Sequence, residues 1–279
     1  AASRDCFLDL LAACTSARGF QKIRRLMKAN LFLGELYDLR QIMNEWSYHF
    51  EVFGTPSPIE PWGWHIYGHH VGFNVLILGR QMVIAPLFMG TEPNEITLES
   101  GESFTMFKEE EAQGLALMQS LSPDLRRRAT LFAQMEDPGM PAWRFNFADQ
   151  RHLGGAFQDN RIVPVEGVPV SEFSNSQRQA LLDLCETFHC HWPDGPRQAR
   201  MRQIEQHLDR TWFSWIGGHG DDDPFYYHIH SPVLMLEFDH HSGMWLSNAE
   251  PAKFHIHVIS RIPNGNDYGK ALIALHQGK

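Results

Sequence analysis

The sequence is poor in the features by which most function classes announce themselves. No apolar run comes near the roughly 18 residues that a membrane-spanning helix needs, which sets a membrane aside as a partner. Lys and Arg number 24 against 33 Asp and Glu, a formal charge of −9. A phosphate backbone calls for the opposite sign, so nucleic acid is set aside too. The one basic run, Arg126-Arg127-Arg128, is short enough to be a solvated helix end. Cys6, Cys14, Cys185 and Cys190 make no C-x-x-C pair, and no disulfide framework is expected; Cys6 and Cys14 fall near an apolar helix stripe, where thiols pack as small hydrophobes. Gly-x-Ser-x-Gly, P-loop and dinucleotide fingerprints are missing, against serine hydrolases and against nucleotide- or nicotinamide-dependent enzymes. An initiator Met is missing as well: the start, AASRDC, reads as a trimmed or processed end, of a soluble chain that is cytoplasmic or secreted after processing. Its oligomeric state stays open.

What the sequence has in excess is histidine. There are 16, with no run at either end that a purification tag would leave. His65, His69 and His70 crowd one stretch, and His228, His230, His240, His241, His255 and His257 another. The rest of the composition is that of a globular protein, and 279 residues suit one large domain or two packed subdomains of roughly 130 residues each.

Hydrophobic periodicity predicts helices over 4–15, about 20–30, 105–121, 176–189 (capped by Asn175 or Ser176), about 196–209 and about 267–276. Strands are predicted at 48–53, 64–77, 81–88, 212–216, 226–230, 233–239 and 253–260, and 135–170, rich in Pro, Gly and Asp, as a linker or long loop. The order repeats. A shift of 163 residues places Phe50 on Phe213, Gly54 on Gly217, Pro61 on Pro224, His65 on His228 and Asn74 on Glu237. After a nine-residue insertion, Val83 and Ala85 fall on His255 and His257. The expectation is an α+β fold of two pseudo-symmetric halves, antiparallel sheets flanked by helices: residues 1–134, a connecting region 135–170, and 171–279. A pseudo-twofold relation should bring His65 near His228. Two histidines where a scaffold needs only Val and Ala point to a site.

Alternation along a strand puts His255 and His257 on one face, where two imidazoles can share a metal ion. Of the neighbours His69 and His70, His70 has the parity of Asn74 and is chosen as third ligand; His69 is a catalytic candidate or a hydrogen-bonded core residue. Glu237 and Asp239 share a strand face, and a buried carboxylate there needs a partner; Glu237 is assigned as general base or fourth ligand. His228 joins it as a catalytic candidate, although its match to His65 also suits a scaffold role. Arg261 is placed on a substrate's carboxylate or phosphate, or in a salt bridge to Glu237, Asp239 or Asp267. Asn74, Trp64 and Tyr227 are assigned to substrate contact, with Trp62, Trp212 and Trp215 as further walls or as core. His240 and His241, in a Gly-containing turn, read as solvent-exposed.

PWGWHIYGHHVGFN, IAPLFMGTEP and the closing HIHVISR with NDYGKALIALH together resemble a family of uncharacterised domains, numbered 3500, that occurs in bacteria and fungi. The resemblance covers most of the chain. Its closing motif has Asn before the H-I-H and a Trp-Arg-Asp turn after it; here Phe254, Ser260 and Ile262 stand instead, while His255, His257 and Arg261 carry over. The resemblance brings no activity with it. The residues themselves predict a metal-dependent enzyme acting on a small organic substrate, hydrolytic or lyase in type, with zinc first and iron or copper next. The alternatives are a non-haem iron or copper oxidoreductase and a non-catalytic metal- or ligand-binding protein.

Overall fold

The structure is a computed structural model that describes residues 2–146, 149–155, 161–243 and 249–278. Two helices open the chain, α1 (Ala2–Cys14) and α2 (Ala17–Leu36). The Ser16 side chain accepts a hydrogen bond from the Gly19 N–H at 2.9 Å and so starts α2. A four-stranded meander follows: β1 (Tyr48–Phe53), β2 (Trp62–Gly68), β3 (Val71–Leu78) and β4 (Gln81–Thr91). A small hairpin, β5 (Glu95–Thr97) with β6 (Ser103–Thr105), leads to α3 (Lys108–Ser120) and α4 (Pro123–Ala129). After β7 (Thr130–Phe132) and β8 (Val168–Pro169) come α5 (Asn175–Phe188) and α6 (Asp194–Gln206). A capping box of Ser174 and Gln177 starts α5, one residue earlier than the earliest expected cap. The second meander is β9 (Trp212–Gly217), β10 (Phe225–His230), β11 (Met235–His240) and β12 (Ile256–Arg261), and α7 (Lys270–His276) closes the chain.

The fold is α+β. Both meanders lie in one sheet, ordered β1-β2-β3-β4-β12-β11-β10-β9-β7, with β4 and β12 antiparallel at the centre. The 163-residue shift reappears as pairing register. Phe50 faces Ile66 and Phe213 faces Ile229; His65 faces Asn74 and His228 faces Glu237. The fourth strands need a correction. His257 lies opposite Asp239, whereas Leu76, the counterpart of Asp239, lies opposite Val83. The ladder therefore matches His255 and His257 to Gln81 and Val83, two residues before the alignment that predicted Val83 and Ala85; one of the two comes from the extra residue that β4 carries between Ile84 and Leu87, opposite Val75 and Phe73. The expected boundaries at 134 and 171 mark no break in the sheet, since β7 and β8 both pair with β9.

Period-two burial decides which side chains go where. Trp64, Ile66, Phe73, Leu87, Val258, Phe238, Tyr227 and Trp215 turn to one face and join Leu11, Ile23, Leu117 and Leu181 of the helices in a single apolar core. The opposite face carries Asn74, Phe88, Gly90, His257, Ile259, Arg261, Glu237 and Asp239. Over the second meander this outer face is covered by the 135–170 segment. The described residues of that segment are mostly irregular, as expected of a long loop, and Arg144, Arg151, His152 and Leu153 among them are buried. No helix among the described residues is long and apolar enough to cross a membrane.

Candidate metal centre

Four chain segments converge at the end of the sheet where β4 and β11 finish and β12 begins. The stretch expected to be one strand over 64–77 is broken there. His69 and His70 form a two-residue turn between paired Gly68 and Val71, and His70 adopts a left-handed backbone, φ 59°. The Gly90 N–H donates to the His70 carbonyl at 2.9 Å and ties the turn to β4. A Cβ on Gly90 would lie 2.7 Å from His70 Cδ2 and 2.8 Å from His257 Cδ2, so only glycine lets both imidazoles close over this position. His70 thus reaches the site through a turn, and not through the strand parity on which it was chosen.

There His70, His255 and His257 come together. Their nitrogens lie within 4.8 Å of one another. His255 Nε2 and His257 Nε2 are 3.0 Å apart, and the His70 ring sits 5.4 and 5.2 Å from the other two. Burial pushes the pKa values of His70 and His257 well below the ordinary imidazole value, and the neighbouring imidazoles add to it. Burial, then His241, lowers His255 to about 3. Three imidazoles thus bring ring nitrogens to a common region in the neutral form that a metal ion needs. Glu92, itself buried, places Oε2 3.8 Å from His255 Nδ1. The His69 ring lies tilted against His70 at 3.9 Å and is held by Asn30 Oδ1 on α2 at 3.0 Å from its Nδ1; burial lowers its pKa to about 4.

Two histidines that sequence reasoning missed complete the cluster. His241, expected in solvent, is buried, stacks on His257 at 4.0 Å and places Nδ1 2.8 Å from Asp239 Oδ2. Its parity with Glu237 and Asp239 was the available signal: the outer face simply continues one residue past the strand. His152, stacked on His257 at 6.1 Å, comes from the aperiodic 135–170 segment, where no pattern could single it out. His152, His241 and His257 form a second triad with nitrogens within 4.8 Å.

Glu237 has another role than the general base or ligand expected of it. Its carboxylate accepts the backbone N–H groups of Leu153 at 2.6 Å and Gly154 at 2.9 Å, and the Tyr226 hydroxyl at 2.5 Å. Burial alone would raise its pKa, but His152, then His228 and Tyr226, outweigh that and hold it far below the carboxylate range. Committed to three donors, it anchors the covering loop. Asp239 is likewise committed, to Arg151 Nε at 2.8 Å and a second guanidinium nitrogen at 3.0 Å. His228 sits opposite Glu237, stacked on His230 at 5.2 Å and lowered to about 3 by burial despite Glu237. It belongs to neither triad.

The four residues assigned to substrate divide in two. Asn74 and Arg261 line a cleft of about 320 Å³ with Phe88, Ile259 and Tyr268. Arg261 is committed there to Asp267, at 2.9 and 2.8 Å, and to the Gly154 carbonyl at 2.7 Å, so it builds the cleft wall by the salt bridge that was the alternative. The other two are core residues. Tyr227 is stacked on Phe238 at 5.1 Å, with its hydroxyl on the Glu110 carbonyl of α3. Trp64 packs on Phe73 and Phe7 beneath α1. Odd-even parity sends both side chains through the sheet to the helical side, away from His257.

The chain belongs to the DUF3500 family of proteins of unknown function. The family's profile matches residues 1–270, which takes in every residue of both triads and of the cleft. No curated protein and no solved structure matches the chain.

Proposed function

We propose that the chain is a metal-dependent enzyme acting on a small organic substrate, with His70, His255 and His257 holding a transition-metal ion. The observation that carries this reading is the convergence of three neutral imidazoles, His255 and His257 buried and His70 half-buried, over a glycine that a methyl group would replace with a clash. A bound ion of this kind supplies a water of pKa about 7, which suits hydrolytic or lyase chemistry. The cleft adjoins the cluster along the outer face of the sheet: Phe88, one of its walls, stands 5.0 Å from the His257 ring. A substrate seated there meets Asn74 and Tyr268 at one side and the metal at the other. Zinc comes first. The all-nitrogen donor set also suits copper and favours a copper oxidoreductase as the second reading. It speaks against iron held by two histidines and Glu237, because Glu237 is engaged elsewhere.

Elemental analysis of tag-free protein, followed by turnover assays, is the test. We expect about one equivalent or more of zinc or copper, lowered in His255→Ala and in His257→Ala, and turnover that follows metal content. Less than about a tenth of an equivalent of any transition metal, with no uptake on reconstitution, would overturn the reading.

A further inference from the structure

We infer that the cluster holds a second transition-metal ion beside the first, through His152, His241 and His257. The inference rests on the proposed reading of His70, His255 and His257 as ligands and extends it to a two-metal centre.

Three observations lead to it. The first is His152, which is 2% exposed and has no hydrogen-bond partner on either ring nitrogen among the described residues. Glu237 lies 3.7 Å from its Nδ1, too far for a hydrogen bond. A buried imidazole left in that condition costs free energy that a metal–nitrogen bond would offset. The second is His241. A carboxylate on Nδ1, here Asp239, is the arrangement that fixes the tautomer and aim of a ligating histidine, with Nε2 turned to the metal. Arg151 holds Asp239 in place from behind, with a bidentate contact in which both side chains are wholly buried. In the first triad the carboxylate of Glu92 stands farther off, 3.8 Å from His255 Nδ1 against 2.8 Å between Asp239 and His241.

The third is the ring of His257, which belongs to both triads. Its Cδ2 edge lies against Gly90 on β4, and its Nε2 meets His255. Nδ1 is on the other edge of the ring from Cδ2, the edge that faces Gly90. That nitrogen is buried with no hydrogen-bond partner among the described residues. His257 can therefore serve one ion through each nitrogen. Doing so releases its remaining N–H proton to solvent, as metal binding at a protonated ligand requires.

The probe is cobalt(II) added to tag-free, chelator-stripped protein, with bound metal counted by elemental analysis and by the visible spectrum. Two equivalents are expected for the wild-type chain. His241→Ala and His152→Ala should each bind one, His70→Ala should also bind one, and His257→Ala should bind neither tightly. His152→Gln and His241→Gln repeat the test should either alanine variant fail to fold by circular dichroism. Saturation at one equivalent that needs His70 and His255, and is indifferent to His152 and His241, would overturn the second site and leave the proposed function standing. One equivalent that needs His241 and not His70 would overturn both, as would no binding at all.

Discussion

The two meanders share a pairing register and differ in what lies over them. No residue of β1 is buried, whereas every residue of β10, β11 and β12 is. On the open half the outer face shows His49, Glu51, His65 and Tyr67 to solvent, with one ion pair, His65 to Glu51 at 3.3 Å. On the covered half the same face carries Glu237, Asp239, His228 and His257 against a loop that brings Arg144, Arg151 and His152. Covering a sheet face that bears carboxylates takes their water away. Each must then be paired, and the loop supplies the partners. The same burial keeps His70, His255 and His257 neutral. The candidate site thus follows from an added layer over one half, not from the sheet that both halves share.

The largest effect should come from cutting that layer loose. Asp239→Ala leaves Arg151 charged and unpaired in a site with no exposure, and takes the carboxylate from His241. A loss of about 3–5 kcal/mol in urea unfolding is expected. A loss below about 1 kcal/mol would mean that the covering loop contributes little to the folded state.

Glu237→Gln comes next. Two backbone N–H groups and the Tyr226 hydroxyl lose a charged acceptor, and a loss of about 2–3 kcal/mol is expected near pH 7. The pH dependence has a definite sign. The folded-state pKa of Glu237 is depressed, so its contribution is fully present above the unfolded value near 4.3 and is lost as pH falls through the folded one. Below about pH 4 the wild-type chain should therefore lose stability with acid faster than the variant, and the two unfolding curves should approach each other. Curves that stay parallel on acidification would show that Glu237 is not the ionised anchor described. Metal content should be the same in both, since the Glu237 carboxylate is engaged by three other donors.

How much of this could be read beforehand follows from the same contrast. Strand alternation, a local property, located β1, β10 and the His255–His257 pair within a residue or two, and the constant shift recovered the hairpin register. Parity also held the answer for Trp64 and Tyr227, which face the helices, but proximity in sequence to the histidines outweighed it. The turn at His69-His70 escaped because two histidines are not turn residues by composition; only the partner strand, through Gly90, makes the left-handed conformation of His70 worthwhile. His152 and Arg151 escaped for a deeper reason. Their segment has no period, because its side chains are placed one by one by the charges they neutralise, and those charges lie more than eighty residues away in the chain.

Two glycines on paired strands sharpen the comparison within the first meander. A Cβ on Gly90 meets two imidazoles below 3 Å, while one on Gly72 meets only Phe88 Cβ at 3.6 Å. Gly90→Ala should cost about 1–3 kcal/mol and weaken metal binding at least tenfold, because His70 and His257 must move apart. Gly72→Ala should change metal binding little. Equal affinities in the two variants would mean that the clearance over Gly90 does not set the geometry of the centre.

The smallest effect is expected on the open face. Tyr67 stacks on His49 at 5.0 Å and meets His65 edge-on at 4.8 Å, yet 42% of it is exposed. An aromatic contact at such a site is worth about 0.5–1 kcal/mol, because water solvates the same rings once they part. Tyr67→Ala should therefore lower stability by no more than about 1 kcal/mol and leave metal content unchanged. The residue is informative because its counterpart in the other half, His230, lies under the covering segment and is 9% exposed. If the two faces differ only by that cover, matched positions should differ in cost by the cover alone, and His230→Ala should be the more damaging of the pair. A loss above about 2 kcal/mol in Tyr67→Ala, or a melting temperature that rises with protein concentration, would mean that the open face is itself covered in solution. The two halves would then differ in what covers them, a loop of this chain on one side and another molecule on the other.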